Sequence, residues 1–169
     1  MKMSRVWAMP NSETFNIKPI GDFVQSYLHG VSIDPFARNK RWATYTNDLN
    51  LNTLAEYHMD ARDFLQSLVN NGIKADCIIF DPPYSPRQIS ECYVGIGLKV
   101  TQESTQNGKL YAECRNLMHK LCRESAVVLS FGWNSAGMGK KRGFVIKEIM
   151  LVAHGGAHND TICMAECMI

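Results

Sequence analysis

The strongest constraint on the fold is an apolar run at residues 75–80 that stops abruptly at Asp81-Pro82-Pro83-Tyr84. The run, Ala-Asp-Cys-Ile-Ile-Phe, has the continuous apolar character of a strand buried on both faces of a parallel sheet. Two adjacent prolines fix φ and provide no backbone N–H, so the strand must end in a stiff turn. We therefore expect a parallel sheet with a rigid corner at the carboxyl end of this strand.

The rest of the chain alternates short apolar or β-branched runs with segments of helical spacing. The runs predict seven strands, at 31–34, 42–47, 57–59, 76–80, 126–131, 144–153 and 161–168. The apolar spacing predicts helices at 19–29, 61–70 and 110–122. This alternation is typical of an α/β fold, a mostly parallel seven-stranded sheet covered by helices. Residues 154–160 are too few for a crossover helix, so the last two strands should form a C-terminal antiparallel hairpin.

Composition is consistent with one folded domain. At 169 residues with 46% hydrophobic content, we expect a single compact domain over residues 1–169. No apolar run approaches the roughly 20 residues of a membrane helix, and residues 1–13 lack the apolar core of a secretion signal. These features predict a cytoplasmic protein without membrane contact. A net charge of +2 is too small to imply a nucleic-acid partner by itself.

The six cysteines are scattered and form no Cys-x-x-Cys pair. Several lie inside apolar runs, which favours buried reduced thiols over disulfides or a zinc site. On paper, a metal cluster would combine four residues near the end of the sequence: His154, His158, Cys163 and Cys167. A hairpin with polar residues at its turn is the better interpretation, and we expect no metal.

The corner at Asp81 offers oxygen acceptors at the end of a strand, which is where open α/β sheets bind their ligands. The Asp81 carboxylate and the Pro82 carbonyl can accept hydrogen bonds from both N–H groups of an amino group attached to an aromatic ring. Such a nitrogen is a poor nucleophile because its lone pair is delocalised into the ring. The two hydrogen bonds favour a pyramidal nitrogen, and they strengthen as positive charge develops during attack. Tyr84 can stack on the base, which is worth about 1–3 kcal/mol against the cost of flipping it out.

With these neighbours the chain resembles the S-adenosylmethionine-dependent amino-methyltransferases, especially the DNA adenine-N6 family, whose hallmark is a strand followed by Asp-Pro-Pro-Tyr. The resemblance extends in weaker form over nearly the whole chain. It implies a Rossmann-like methyltransferase fold, S-adenosylmethionine as cofactor, and a catalytic group of Asp81, Pro82, Pro83 and Tyr84. It also implies that the cofactor lies against Phe15, Lys18, Asp34, Pro35, Phe36, Asp48, Asp60, Ala61 and Asp81.

The resemblance assigns roles to four aspartates that follow one another along the chain. Asp34 or Asp81 would lie near the ammonium group of the cofactor. Asp48 would accept from the ribose hydroxyls, and Asp60 from the adenine amino group. An aspartate at the end of a strand is also common as a helix cap. Their order, rather than any single aspartate, therefore supports a cofactor site.

The sequence departs from the family at two places. Residues 36–39 (Phe-Ala-Arg-Asn) stand where the family usually has glycine, and too few residues follow for the usual helix. A second shortcut lies at 135–143, which leaves room for about two helical turns. The chain also lacks a long insertion that could form a target-recognition domain. This lack indicates either relaxed specificity or a partner that supplies recognition, such as a second copy of the chain.

Two segments are candidates for contact with nucleic acid. The polar stretch 85–108 includes Arg87 and has the glycines of a mobile lid or base-reading loop. Trp133, Asn134 and the triplet Lys140-Lys141-Arg142 follow a strand expected beside the Asp81 strand, where they could reach phosphates. Packing of Trp133 on the core and a solvated basic face are the alternatives.

These features predict a methyltransferase that acts by direct attack on the N6 amino group of adenine in DNA, with a flipped-out base. DNA is favoured over RNA only by the resemblance, because the same acceptors would serve an adenine or guanine amino group in RNA. No Pro-Cys dipeptide is present, so covalent methylation of a cytosine ring carbon has no candidate nucleophile. A catalytically silent nucleic-acid-binding module is a further alternative, which the glycine-poor first loop favours.

Overall fold

A computed structural model describes residues 1–83, 94, 95, 97 and 107–169. Its strands are β1 Lys2–Trp7, β2 Ser32–Asp34, β3 Tyr45–Thr46, β4 Ala75–Phe80, β5 Cys122–Gly132, β6 Phe144–Ala153 and β7 Thr161–Met168. Its helices are α1 Lys18–Tyr27, α2 Ala61–Asn70 and α3 Asn107–Leu121. The strands form one sheet in the order β1-β6-β7-β5-β4-β2-β3.

Helices cover both faces of the sheet, and β4 runs through the middle of the core. Ile79 of β4 packs on one face with Val24 of α1. Ile78 packs on the other face with Leu65 of α2 and Met118 of α3. All of these side chains are inaccessible to solvent. Burial on both faces explains why the β4 sequence is a continuous apolar run rather than an alternating one.

Most of the predicted strands are present. β2, β3, β4 and β5 run parallel to one another, β7 is antiparallel to β5, and β6 and β7 form the predicted antiparallel hairpin. The predicted strand at 57–59 is wrong, because this segment makes only an isolated parallel bridge between Asn47 and Tyr57. The Asn47 side chain bonds the backbone N–H and carbonyl of Met59. A side chain thus takes over the hydrogen bonds that a strand ladder would have provided.

The sequence analysis did not predict β1, which lies at the edge of the sheet and pairs in parallel with β6. Edge strands tolerate polar residues, and β1 carries Lys2, Ser4 and Arg5. Its large apolar side chains, Met3 and Trp7, are exposed. Of the apolar side chains of β1 only Val6 packs against the core, so β1 lacks the pattern from which a strand is normally predicted.

The three helices lie close to their predicted bounds. α1 begins one residue before Pro19, which is favourable there because the first turn needs no N–H donors. α2 has the predicted bounds, and the Asp60 carboxylate caps it by accepting from the Arg62 N–H at 2.9 Å. α3 begins three residues earlier than predicted and ends one residue earlier.

The connection from β5 to β6 contains only a 3-10 turn, Lys140–Arg142, in place of a crossover helix. Glu166 of β7 is buried and accepts hydrogen bonds from the backbone N–H groups of Met138 and Gly139. A side chain at position 137 would collide with the Glu166 carboxylate, so glycine is required there. One buried carboxylate therefore holds this loop against the sheet.

The cysteines behave as predicted within the described residues. Cys77, Cys114, Cys122 and Cys163 are free and buried. Burial raises the pKa of the Cys77, Cys114 and Cys122 thiols to about 12, which makes them poor nucleophiles.

The hairpin histidine, His154, has hydrogen-bond partners for both ring nitrogens. Nδ1 lies 2.9 Å from the Ala8 carbonyl, and Nε2 lies 2.9 Å from the Thr161 hydroxyl. The ring thus ties the end of β1 to the hairpin. Among the described residues no helix is long and apolar enough to span a membrane, and no group of ligands is arranged to bind a metal.

Candidate active site

The carboxyl ends of β2, β3, β4 and β5 lie at one edge of the sheet, which we call the carboxyl edge. Asp34 ends β2, Asp48 follows β3, and Asp81 comes directly after β4. Both Asp48 and Asp81 act electrostatically on Asp34. The structure therefore brings together three of the predicted site residues at the edge where α/β folds bind ligands.

Asp34 is the most buried of these carboxyl groups, with 1% of the residue exposed. Its Oδ1 accepts a hydrogen bond from the Phe36 N–H at 3.0 Å, which favours the charged form. Burial, with smaller contributions from Asp81 and Asp48, nevertheless raises the pKa of the Asp34 carboxyl well above its ordinary value. A positive charge placed at this edge would oppose that shift and favour ionisation of Asp34.

Asp48 organises the loop that follows β2. Its Oδ2 accepts from the Arg38 N–H at 3.1 Å, and its Oδ1 accepts from the Asn50 N–H at 2.8 Å. Arg38 has a φ of 50°, in the left-handed region that favours glycine. Its side chain donates from Nη1 to the Ser12 carbonyl at 2.7 Å. Arg38 thus adopts a conformation typical of glycine, and no helix lies between β2 and β3.

Asn47 fixes the relative position of the segments that carry the aspartates. Its side-chain amide donates to the Pro35 carbonyl at 3.1 Å and the Met59 carbonyl at 3.0 Å. Its Oδ1 accepts from the Met59 N–H at 3.1 Å. Because Pro35 follows Asp34 and Met59 precedes Asp60, a single buried side chain links two predicted cofactor segments. Sequence analysis missed Asn47, since nothing local distinguishes it from a turn residue.

The remaining predicted cofactor residues differ in their surroundings. Asp60 and Ala61 begin α2, where Asp60 acts as a helix cap and Ala61 is buried. Lys18 lies at the exposed start of α1 and pairs with Asp22 at 2.6 Å. A role in helix stability therefore accounts for both charged residues, and their contact with a cofactor stays a prediction.

Two phenylalanines pack at the same edge. Phe15 is buried against Trp42, with ring centroids 5.8 Å apart, and against Phe131, at 5.2 Å. Phe36 is half-buried and meets the Phe80 ring edge to face at 5.7 Å. Pro35, which links Asp34 to Phe36 in the sequence, is buried. These contacts make an apolar surround for the carboxyl groups.

A tyrosine of α3 holds the proline corner. The Tyr111 hydroxyl donates to the Pro83 carbonyl at 2.7 Å. Its ring also packs edge to face on Phe80 and Phe36, with centroid distances of 5.9 and 6.4 Å. The conformation that two prolines impose locally is therefore reinforced by a contact from a distant helix. Tyr111 was absent from the sequence prediction because its partner lies 28 residues away.

Beside the corner lies a cavity of about 110 Å³. Its lining comprises Phe80, Pro82, Tyr111, Arg115, Ser130, Phe131, Gly132, Trp133, Asn134 and Gly137. The predicted nucleic-acid residues Trp133 and Asn134 thus share a cavity with the predicted catalytic residue Pro82. Trp133 is 43% exposed, so part of its indole lies at the protein surface.

The basic triplet lies away from the Asp81 corner. Lys140–Arg142 directly precedes β6, and the strand directions place the start of β6 at the amino edge of the sheet. The length of β4, about 17 Å at 3.3 Å per residue, separates that edge from Asp81. Arg142 is used internally, donating to Asn116 at 2.9 Å and to the Met138 carbonyl at 3.0 Å. Lys140 and Lys141 are exposed, and their contact with phosphate stays a prediction.

Tyr84 and Arg87 lie outside the described residues, as does most of the predicted lid at 85–108. The catalytic and nucleic-acid roles predicted for them therefore rest on the sequence alone.

No family model and no curated protein matches the chain, but solved structures do. SMU.776, a candidate methyltransferase complexed with SAH, is 12% identical, with a TM-score of 0.57 over 81% of this chain and 44% of that one. NSun6 from Pyrococcus horikoshii, solved with SFG, is 16% identical, with a TM-score of 0.52 over 81% and 47%. A candidate rRNA methylase from Clostridium thermocellum is 7% identical, with a TM-score of 0.51 over 95% and 100%.

At these identities the likeness shows the fold. The chain has the Rossmann-like α/β fold of S-adenosylmethionine-dependent methyltransferases, as the sequence predicted. It spans less than half the length of the first two of these structures.

Proposed function

We propose that this protein transfers a methyl group from S-adenosylmethionine to the N6 amino group of adenine in DNA, with the base flipped out of the helix. The observation that carries the proposal is the position of the proline corner. Asp81 lies within electrostatic range of the buried Asp34 carboxyl, and the next residue, Pro82, lines the cavity beside Trp133. One corner thus adjoins both a candidate cofactor region and a candidate base pocket.

The residues of the carboxyl edge fit this cofactor, which carries a sulfonium and an ammonium group. Asp34, Asp48 and Asp81 bring three carboxyl groups together, and their mutual effect disfavours ionisation of Asp34. A cationic ligand between them would relieve this repulsion. Each carboxylate oxygen of Asp48 accepts one hydrogen bond from a backbone N–H, which leaves lone pairs for ribose hydroxyls. The apolar surround of Phe15 and Phe36 suits the remainder of such a molecule.

When bound, the cofactor would supply an electrophilic methyl group: the nitrogen–methyl bond forms as the sulfonium–methyl bond breaks, S-adenosylhomocysteine leaves, and the surplus proton of the amine passes to solvent. The Asp81 carboxylate and the Pro82 carbonyl accept hydrogen bonds from the two N–H groups of the adenine amino group, which makes the lone pair of the nitrogen available. As positive charge develops on the nitrogen, both oxygens stabilise it, and this effect is stronger in the transition state than in the ground state. The Tyr111 hydrogen bond to Pro83 keeps the corner from relaxing. Tyr84 stacks on the flipped base in this proposal.

RNA is the second candidate substrate. The similar structure from Clostridium thermocellum, whose whole length this chain covers, is described as an rRNA methylase. An amino group of adenine or guanine in RNA presents the same two protons to Asp81 and Pro82. Incubation of the protein with labelled S-adenosylmethionine and either DNA or RNA, followed by mass analysis of the nucleosides, separates the two. Label on N6-methyladenine from DNA supports the proposal, and label only in RNA contradicts its choice of substrate.

The role of Asp81 is tested by Asp81→Ala and Asp81→Asn. A hydrogen bond to a charged group is worth about 1.5–3 kcal/mol, so we expect turnover to fall roughly tenfold to a hundredfold in Asp81→Ala. Asp81→Asn keeps the shape and one acceptor but loses the charge, so its turnover should lie between those of wild type and Asp81→Ala. Asp63→Ala, an exposed aspartate of α2, is the matched control. Turnover of Asp81→Ala near that of wild type would contradict the mechanism.

A catalytically silent nucleic-acid-binding module is the remaining alternative, because Arg38 occupies a left-handed position that the family usually gives to glycine. Calorimetry with S-adenosylmethionine distinguishes the two functions. Binding supports the enzyme, whereas no binding at millimolar cofactor favours the silent module.

A further inference from the structure

Arg115 of α3 is a charged group that the proposed mechanism does not yet use. Its Nε atom is buried and donates to no acceptor in the described part of the chain. Its guanidinium carbon lies 5.6 Å from the centre of the Phe80 ring. A buried donor of a charged group that lacks an acceptor is costly, so such a group in a native protein commonly awaits a ligand.

Among the described residues, none neutralises Arg115 through a direct bond. Glu166 attracts it, but both oxygens of that carboxylate accept backbone N–H groups of the 138–139 loop. Arg142 is close enough to repel it. Burial and this neighbour lower the pKa of the Arg115 guanidinium, although an arginine in a protein stays protonated. A fixed positive fork therefore remains in the wall of the cavity.

That cavity adjoins the corner that carries Pro82. Its volume of about 110 Å³ holds several waters, at roughly 10–15 Å³ each, and suits one planar ring rather than a larger ligand. Phe80, Phe131 and Trp133 provide aromatic surface, and Arg115 is the cation in its lining. A guanidinium beside such a surface donates to ring nitrogens or carbonyls of a base and cannot accept from them.

We propose that Arg115 binds the target base by donating to a ring nitrogen that neighbours the reacting amino group. Asp81 and Pro82 hold the amine in the proposed reaction, and Arg115 reads the adjacent acceptor, N1 or N7 in adenine. The corner alone would take any aromatic amine, including one without an adjacent acceptor. Arg115 therefore restricts the substrate to heterocycles that combine a donor with a neighbouring acceptor. This inference rests on the proposed function for the identity of the amine.

The test removes the donor from the protein and the acceptor from the base. Arg115→Met keeps a long apolar side chain over Phe80 but has no donor, and Arg115→Lys keeps the charge without the fork. The substrates are single-stranded oligonucleotides that contain adenine, 1-deazaadenine or 7-deazaadenine. Both affinity, measured with labelled oligonucleotides, and methylation are recorded. Arg62→Met, at an exposed arginine of α2 that pairs with Glu113, is the control for loss of charge.

We expect wild type to lose about tenfold to a hundredfold in affinity for one deaza base, the effect of one charge-assisted hydrogen bond. Arg115→Met should bind all three oligonucleotides equally weakly, Arg115→Lys should retain part of the preference, and Arg62→Met should behave as wild type. Equal binding of all three bases by wild type, or an unchanged preference in Arg115→Met, would overturn the proposal. Absence of methylation by wild type would instead contradict the proposed function, and the binding comparison would still decide the role of Arg115.

Discussion

Replacement of Asn47 by alanine should destabilise the protein more than any surface substitution. The change removes three hydrogen bonds at 3.0–3.1 Å, two to the carbonyls of Pro35 and Met59 and one from the Met59 N–H. The residue is only 1% exposed, so water cannot replace these partners without a local opening. At about 1 kcal/mol net for each bond, the loss amounts to about 3 kcal/mol.

Urea unfolding monitored by circular dichroism measures this loss. A decrease of about 3 kcal/mol corresponds to a fall in Tm of about 6–12 °C for a domain of this size. Asn47→Asp preserves the shape but places a carboxylate against two carbonyl oxygens, so at neutral pH it should be at least as unstable as Asn47→Ala. The control is Asn70→Ala, because Asn70 is exposed and bonds only Gln66 on the same helix. Stability of Asn47→Ala within about 0.5 kcal/mol of wild type, the usual range for surface changes, would refute the linking role.

Three further variants test the proposed roles of single residues and of the basic triplet. Asp34→Asn should raise the Tm at neutral pH and weaken S-adenosylmethionine binding. Because the pKa of the Asp34 carboxyl is raised in the folded state, this group favours folding below its unfolded pKa. Its contribution is lost as pH rises through the folded pKa. Identical pH–Tm curves for the two proteins would count against this, and cofactor affinity of wild type should increase with pH over the same window. Arg38→Gly should relieve the positive φ but free the Ser12 carbonyl, so we expect less than about 1 kcal/mol net change in thermal unfolding; a larger loss would show that the side-chain bond dominates. Lys140→Ala combined with Lys141→Ala should lower the slope of log affinity against log salt by about 0.9 for each lost phosphate contact, and only on duplexes that extend past the roughly 17 Å of β4; the wild-type slope on a long duplex would contradict phosphate contact.

Sequence predicted the strands of the core better than those at the margin. β4, β6 and β7 lie within one residue of their predicted bounds because their side chains are sorted by burial, which is what apolar patterns record. β1 was missed because an edge strand with exposed Met3 and Trp7 has no such pattern. The segment at 57–59 failed for a different reason: a long-range side-chain bond, invisible in a local pattern, replaced the ladder.

The candidate site was predictable only where a motif marks it. The Asp-Pro-Pro corner can be recognised from the sequence because two prolines after a buried strand constrain the backbone locally. No local motif distinguishes Tyr111 and Arg115, since both lie in the helical pattern of α3. Their roles follow from the hydrogen bond of Tyr111 to Pro83 and from the position of Arg115 in the cavity lining. Their partners come from distant parts of the chain, so a contact of this kind emerges only when the sheet is assembled.

The two shortcuts in the chain have a common physical solution. At two places where the fold family usually has a helix, this protein has a short loop, and each loop is held by one buried polar side chain. Asn47 holds the loop at the carboxyl edge, and Glu166 holds the β5–β6 connection. A helix satisfies its own backbone groups, whereas a buried loop needs partners for them. Each of these side chains supplies two or three partners at once. The compact chain can therefore hold these two loops in place without helices, and it depends on these two polar residues to do so.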